Sequence, residues 1–241
     1  MTGSRVTLAE VRKRFGRLEV LRGINQSIEP GRITAMVGPN AAGKTTLIKI
    51  ILGLVQGGPG SVVEVDGIAV NGDPAYRRRI GYMPQAARFP EHLTGHEIIQ
   101  LLTGLRGQRE GLDQELIDDF KLAPSLDRPV RTLSGGTRQK LNAVVAFLFR
   151  PSLLILDEPT AGLDPVAAGI LKDKVLRAPA QGTTVLLTSH LMSEVEELAQ
   201  ELIFLLDGRV AFRGSLGALL QLSGEVRLER AIARLLEEAG R

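Results

Sequence analysis

The chain contains no cysteine and no tryptophan. The first absence removes disulfides, thiolate metal sites and cysteine nucleophiles together and fits a reducing compartment. Aromatic residues are scarce, seven phenylalanines and two tyrosines among 241 residues. Long apolar runs are missing as well. The longest, Ala143 to Phe149, falls far short of the roughly 20 residues of a membrane-spanning helix. The opening Met1-Thr-Gly-Ser-Arg-Val6 has no apolar stretch of the secretory kind. The expectation is a soluble chain whose contact with a membrane runs only through a partner. Charge of one sign is lacking too: Lys+Arg 30 against Asp+Glu 27 leaves +3, a balanced surface that gives no case for a nucleic-acid partner. The basic clusters Arg12-Lys-Arg14 and Arg77-Arg-Arg79 are short, lie beside apolar residues, and read as solvated edges. No repeat, low-complexity tract or flexible linker is visible, and the length suits one domain carrying an inserted subdomain.

Among the residues that are present, Gly38-Pro39-Asn40-Ala41-Ala42-Gly43-Lys44-Thr45-Thr46 has the spacing of a phosphate-binding loop, Gly-x4-Gly-Lys-Thr. The apolar run Ile33 to Val37 ahead of it predicts a buried parallel strand, and Leu47, Ile48 and Ile51 behind it predict a helix from Lys44 to about Leu54. A helix starting there aims unpaired N–H groups and its positive dipole end at the loop, where a polyanion can replace the missing partners. Gly43 lets the backbone approach a phosphate, Lys44 reaches the β and γ phosphates, and the Thr45 hydroxyl suits Mg²⁺. A glycine turn with a chance lysine is the other reading, and the flanking strand and helix speak against it.

Before the loop, Val6, Leu8 and Val11 open an alternating strand that ends at Phe15-Gly16, and Val20-Leu21 and Ile28 predict two further short strands, an antiparallel β opening. Burial statistics alone would put Phe15 in the core, although its segment can fold back toward a nucleotide. Ser61 to Val65 predicts a strand with a turn at Asp66-Gly67. Ile80 to Gln85 predicts a buried strand with a glutamine at its tip, able to bind Mg²⁺ or place a water, or simply to cap a loop. From about 86 to 150 the pattern turns helical, with apolar sets at Ile98, Ile99, Leu101, Leu102 and Leu105, at Leu112, Leu116, Ile117 and Phe120, and at Leu141, Val144, Val145 and Leu148. The third set follows Ser134-Gly135-Gly136, an N-cap and two bare N–H groups that form a second anion site or a plain helix start.

Leu153 to Leu156 is wholly apolar and ends in Asp157-Glu158, so two carboxylates emerge at the carboxyl end of a buried strand, facing opposite ways by strand alternation. Ala161-Gly-Leu-Asp-Pro165 turns into a helix over Val166 to about Arg177, and Thr183 to Thr188 predicts another parallel strand with His190 at its end. That edge placement favours a functional part for His190, while His92 and His96 read as surface residues. A hairpin over Glu201 to Arg213 and a short helix follow. The last helix carries Leu228, Ile232, Leu235, Leu236 and Ala239 on one face, for core packing or a dimer contact.

Taken together, Gly38 to Thr45, Gln85, Leu133 to Gly136, Leu153 to Glu158, Gly162 to Asp164 and His190, in this order, resemble the ATP-binding-cassette family over nearly the whole chain. The resemblance implies an α/β fold, a RecA-like P-loop sheet with an antiparallel β subdomain and an inserted helical subdomain, spanning 1–241 as a single nucleotide-binding domain. It implies ATP and Mg²⁺ as cofactors, Thr45 and Gln85 as metal ligands, and Asp157 holding the metal through water. Phe15 matches the aromatic that stacks on adenine, Glu158 the residue that polarises the attacking water, His190 the contact to the γ-phosphate, and Asp164 the acid that bridges the interface. Ser134, Gly135 and Gly136 of one copy would close over the nucleotide held by Gly38 to Thr46 of another, so a homodimer is expected.

The partners implied are a second cassette and a transmembrane permease, docked in the groove beside Gln85 and the helices that start near Gly95. The location implied is cytoplasmic, on the inner face of the membrane. Cassettes uncoupled from transport and non-hydrolysing subunits are the alternatives. Ala41 stands where the family commonly has glycine, and Thr137 where it has glutamine. Within the family, Leu133 to Lys140 with Phe147-Leu-Phe149 and Ala161 to Pro165 is similar to the cassettes serving copper delivery to nitrous oxide reductase.

Overall fold

The computed structural model describes residues 5–71 and 74–239, with side chains to residue 237. Met1 to Ser4 of the opening segment and the side chain of Ala239, both read above, lie outside the described residues. The chain runs β1 (Val6–Phe15), β2 (Leu18–Ile28), β3 (Ile33–Val37), α1 (Lys44–Ile51), β4 (Val62–Val65), β5 (Ile68–Ala69), a 3-10 turn (Pro74–Arg79) and β6 (Ile80–Met83). Four helices follow, α2 (Gly95–Arg106), α3 (Glu115–Asp119), α4 (Ala123–Leu126) and α5 (Gly135–Phe147). The remainder is β7 (Leu153–Asp157), α6 (Pro165–Arg177), β8 (Thr184–Thr188), α7 (Met192–Leu198), β9 (Glu201–Leu206), β10 (Arg209–Ser215), α8 (Leu216–Ser223) and α9 (Leu228–Ala239).

Two sheets result. β2-β1-β4-β5 is antiparallel throughout, and the larger sheet has the order β10-β9-β3-β8-β7-β6. In the larger sheet only the β9–β10 hairpin is antiparallel. β3, β7 and β8 are buried at every residue, which explains their continuous apolar reading. Their two faces feed two separate apolar layers. Ala35, Leu154, Leu156 and Leu187 pack with the helices, whereas Met36, Leu153, Ile155 and Leu186 pack with α1 and the antiparallel sheet.

Several expectations need correction. The two short strands predicted from Val20-Leu21 and Ile28 are one strand, β2. A slip in the β1–β2 register between Leu8 and Val11, with Glu10 at φ 48°, absorbs the irregularity that looked like a break. The loop helix stops at Ile51, not near Leu54, because Gly53 takes a left-handed turn at φ 66°. Of the second apolar set of the helical region only Leu116 and Ile117 lie in a helix, α3; α4 carries none of that set, and α7 was not anticipated. Leu101 and Leu105 on α2 are 49% and 72% exposed, so part of that helix's apolar face is not in the core. On α9 Leu228 is buried and Ile232 and Leu235 lie against the core cluster, whereas Leu236 is exposed. Among the described residues no helix is long and apolar enough to cross a membrane.

Candidate functional site

Sheet register gathers the site. Met36 lies opposite Thr188, Met83 opposite Leu156, and Asp157 opposite Thr188, so β3, β6, β7 and β8 all end along one edge. The next residues of each strand, Gly38, Pro84-Gln85, Glu158 and Ser189-His190, are therefore neighbours although far apart in sequence. Of these, Gln85, Glu158 and His190 line a cavity of about 420 Å³ together with Asp157, Phe15 and the loop from Asn40 to Thr46; Gly38 and Pro39 are not in its lining.

The loop has the backbone its sequence demands. A Cβ at Gly38 would sit 2.2 Å from the Leu205 carbonyl oxygen, so no side chain fits where the loop leaves β3. Gly43 caps α1 at φ 103°, and Ala41 is left-handed at φ 65°. The glycine common at that position has a physical reason, since Ala41 holds a conformation L residues avoid. Lys44 folds back on the loop, its Nζ donating to Gly38 O at 2.5 Å and Pro39 O at 3.0 Å. Burial pushes the Lys44 ammonium below its ordinary pKa, and the charges of Glu158 and Asp157 pull it partway back. A polyanion would give that buried cation better partners than two carbonyls.

Glu158 is bound at both carboxylate oxygens. Oε1 lies 2.7 Å from His190 Nε2, and Oε2 accepts from Gln85 Nε2 at 2.8 Å. Strand alternation does not separate the two acids. Asp157 ends β7, and Glu158 turns away because its backbone is left-handed at φ 52°, its N–H held by Thr188 O at 3.1 Å. Strain at a non-glycine residue belongs to positions that the surroundings over-determine. Asp157 is 7% exposed and accepts from Thr188 Oγ1 at 2.5 Å. Thr188 is a contributor that motif reading missed; the signal was a hydroxyl residue ending a buried strand directly across from an acid. Tyr82 on β6 has its phenol pushed up to about 12, by burial first and by the Asp157 charge second.

The donors around this point suit a hard cation: the Thr45 hydroxyl, the Asp157 carboxylate, and the Gln85 amide oxygen left free when Nε2 serves Glu158. Among the described residues there is no cluster of three or more His, Cys, Asp or Glu able to hold a metal. A Mg²⁺ is commonly held by one or two protein groups together with substrate phosphates, and the three oxygen donors named here are of that kind.

Phe15 is 49% exposed at the mouth of the cavity, with Lys13 Nζ 5.0 Å from its ring centroid, so the burial-based expectation for it is wrong. Ser134, Gly135, Gly136 and Asp164 are not among the cavity's lining. Ser134 caps α5, accepting from Thr137 N at 3.1 Å, with its hydroxyl 2.8 Å from the Thr137 hydroxyl. Asp164 caps α6 and pairs with Lys140 Nζ at 2.9 Å. Those bonds, from the Ala167 N–H first and Lys140 second, hold its carboxyl below the usual carboxylate range.

Residues 21–161 match the model of a family described as ABC transporter. The chain belongs to the ABC transporter family. It is an ATP-binding ATPase of the cassette type, as the motifs implied. It is 32% identical to the lantibiotic transport ATP-binding protein SrtF of Streptococcus pyogenes, over 84% of this chain and 87% of that one. It is 35% identical to the daunorubicin resistance ATP-binding protein DrrA2 of Streptomyces coeruleorubidus, over 98% of this chain and 75% of the relative. A solved ATP-binding subunit of an ABC transporter superposes with a TM-score of 0.91 at 28% identity, covering 97% of this chain and all of that one. None of these three concerns copper delivery, so that narrower resemblance gains no support from them.

Proposed function

We propose that the chain is a single nucleotide-binding domain over 1–241 that hydrolyses Mg-ATP in sites shared by two copies and thereby drives a separate membrane-spanning permease. One observation carries the reading: Lys44, Thr45, Gln85, Asp157, Glu158 and His190 share one cavity, while the second anion-binding helix start, Ser134-Gly135-Gly136, lies outside it in the same chain. A site built for a triphosphate thus lacks its second helix end unless another copy brings it.

In this mechanism adenine stacks on Phe15, and the bare N–H groups at the start of α1 bind the phosphates. Lys44 exchanges its two carbonyls for β and γ oxygens. Thr45, Gln85 and Asp157 would hold Mg²⁺, whose part when bound is to neutralise charge on the phosphate oxygens. Glu158 orients the attacking water and takes its proton, and His190 donates toward the γ-phosphate. Both tasks require the Glu158–His190 and Glu158–Gln85 contacts of the free chain to loosen first. Ser134, Gly135 and Gly136 of the other copy complete the charge stabilisation, and Asp164 lies at that interface. The permease docks at the groove between Gln85 and α2, where Leu101 and Leu105 are exposed. This places the chain in the cytoplasm, on the inner face of the membrane.

Glu158→Gln tests the reading. Loss of a positioned general base predicts a fall in phosphate release of about 10²–10⁴-fold. ATP binding persists, and a nucleotide-held dimer accumulates in size-exclusion chromatography. Undiminished phosphate release, or a monomer with ATP bound, would overturn it.

A further inference from the structure

Asn142 has no part in the site described so far, yet it is a primary amide only 2% exposed on α5, flanked by buried Leu141, Ala143 and Val144. A buried amide needs partners. Its Nδ2 donates to the Pro84 carbonyl oxygen at 2.8 Å and to Gln139 Oε1 at 3.3 Å. The Pro84 carbonyl belongs to the peptide that leads directly into Gln85, and that peptide is planar, so the bond fixes the approach to Gln85. Gln85 in turn donates to Glu158. A second, independent contact fastens the same two elements: Gly81 on β6 lies so close to α5 that a Cβ there would meet Ala146 O at 2.1 Å. One turn nearer Ser134 than Asn142, Gln139 is 5% exposed and its Nε2 is buried without a partner. The joint therefore keeps a spare donor on the side facing the helix start.

We infer that Asn142 is a positioning residue: its amide transmits the placement of α5 to Gln85, and through Gln85 to Glu158. The inference rests on the catalytic reading of Gln85 and Glu158 above. Ser134 lies eight residues from Asn142, roughly 12 Å along the helix, so a second copy drawing that end onto its nucleotide acts on a lever fastened at Asn142. When the Pro84 carbonyl follows α5, the Gln85 amide leaves Glu158 Oε2, and one of the two oxygens pinned in the free chain becomes available to water.

The test is a double-mutant cycle on the full chain, with kcat and KM for Mg-ATP measured for the parent, Asn142→Ala, Gln85→Ala and the double variant. Asn142→Ala should lower kcat about fivefold while KM stays within about twofold, and should change kcat by less than about 1.5-fold when Gln85 is already alanine. An equal fold-loss in both backgrounds, or a loss confined to KM, overturns the proposal and leaves the catalytic reading standing. An unchanged kcat for Gln85→Ala alone overturns both. If Asn142→Ala does not fold, Asn142→Ser, whose hydroxyl is too short to reach Pro84, enters the same cycle with the same expectations.

Discussion

Gly81→Ala replaces one hydrogen by a methyl group at the most crowded point between α5 and β6. The new carbon would lie 2.1 Å from the Ala146 carbonyl oxygen, 2.8 Å from Pro151 Cγ and 3.0 Å from Leu154 Cδ1. Non-bonded heavy atoms rest at roughly 3.5 Å or more, so α5 must retreat by about 1 Å or more. The first of those neighbours is backbone in a buried helix, and no side-chain rotation relieves it. Overpacking of this kind costs about 1–3 kcal/mol, and a rigid backbone neighbour argues for the upper half of that range. In a chain of 241 residues this corresponds to a fall in melting temperature of roughly 5–10 °C. Urea unfolding at pH 7 reads the change directly. The matched control is Gly104→Ala, in the interior of α2 with nothing within 4 Å of the added carbon, which should stabilise by about 0.5–1 kcal/mol. A Gly81→Ala midpoint equal to that of the parent would refute the reasoning, because it would mean α5 yields to an added methyl group on β6 without cost.

Phe15→Ala should raise the ATP dissociation constant about tenfold, the scale of one lost base–aromatic stack, and cost less than about 1 kcal/mol of stability because half of the ring is already exposed. Equilibrium binding of a fluorescent ATP analogue checks it, and unchanged affinity would remove Phe15 from the site. Ala41→Gly should stabilise the chain by roughly 0.5–1 kcal/mol, relief of the left-handed cost less the extra freedom of glycine. A lower melting temperature would count against strain at that position. Glu115 has its carboxyl held below the usual carboxylate range, chiefly by its bond from Lys174, then by the Lys174 charge and by the bond and charge of Arg177. A depressed carboxylate stabilises the fold above its unfolded pKa, and this is lost as pH falls through the folded value. The parent's advantage over Glu115→Gln should therefore be full at pH 7 and shrink below about pH 4.5, measured as urea midpoints across that span; a gap independent of pH would refute it.

The site was legible because its residues follow strand ends, and the largely apolar Ile33–Val37 and wholly apolar Leu153–Leu156 advertise buried strands without any knowledge of their neighbours. Register was not legible, and register is what sets Thr188 beside Asp157. Nor was the left-handed turn of Glu158, since no local preference favours it; the N–H of that residue is held by Thr188, 30 positions away. Phe15 shows where burial statistics mislead, because it lines the cavity half-exposed and is not in the core. In the helical region, spacing found α2 and α5 correctly. It gave no sign of α4, and Leu101 and Leu105, which carried part of the α2 pattern, are exposed. Asn142 was passed over for the opposite reason: a single amide within an apolar stripe carries no periodic signal.

The central sheet divides the hydrophobic interior into two layers that touch mainly through the alternating side chains of β3, β7 and β8. Because neighbouring residues on those strands belong to different layers, the helix-facing residues Ala35, Leu154 and Leu187 are open to exchange without disturbing Met36, Ile155 or Leu186 behind the phosphate loop. A lineage can recut the helical half of the interior while the half behind the phosphate loop is inherited unaltered.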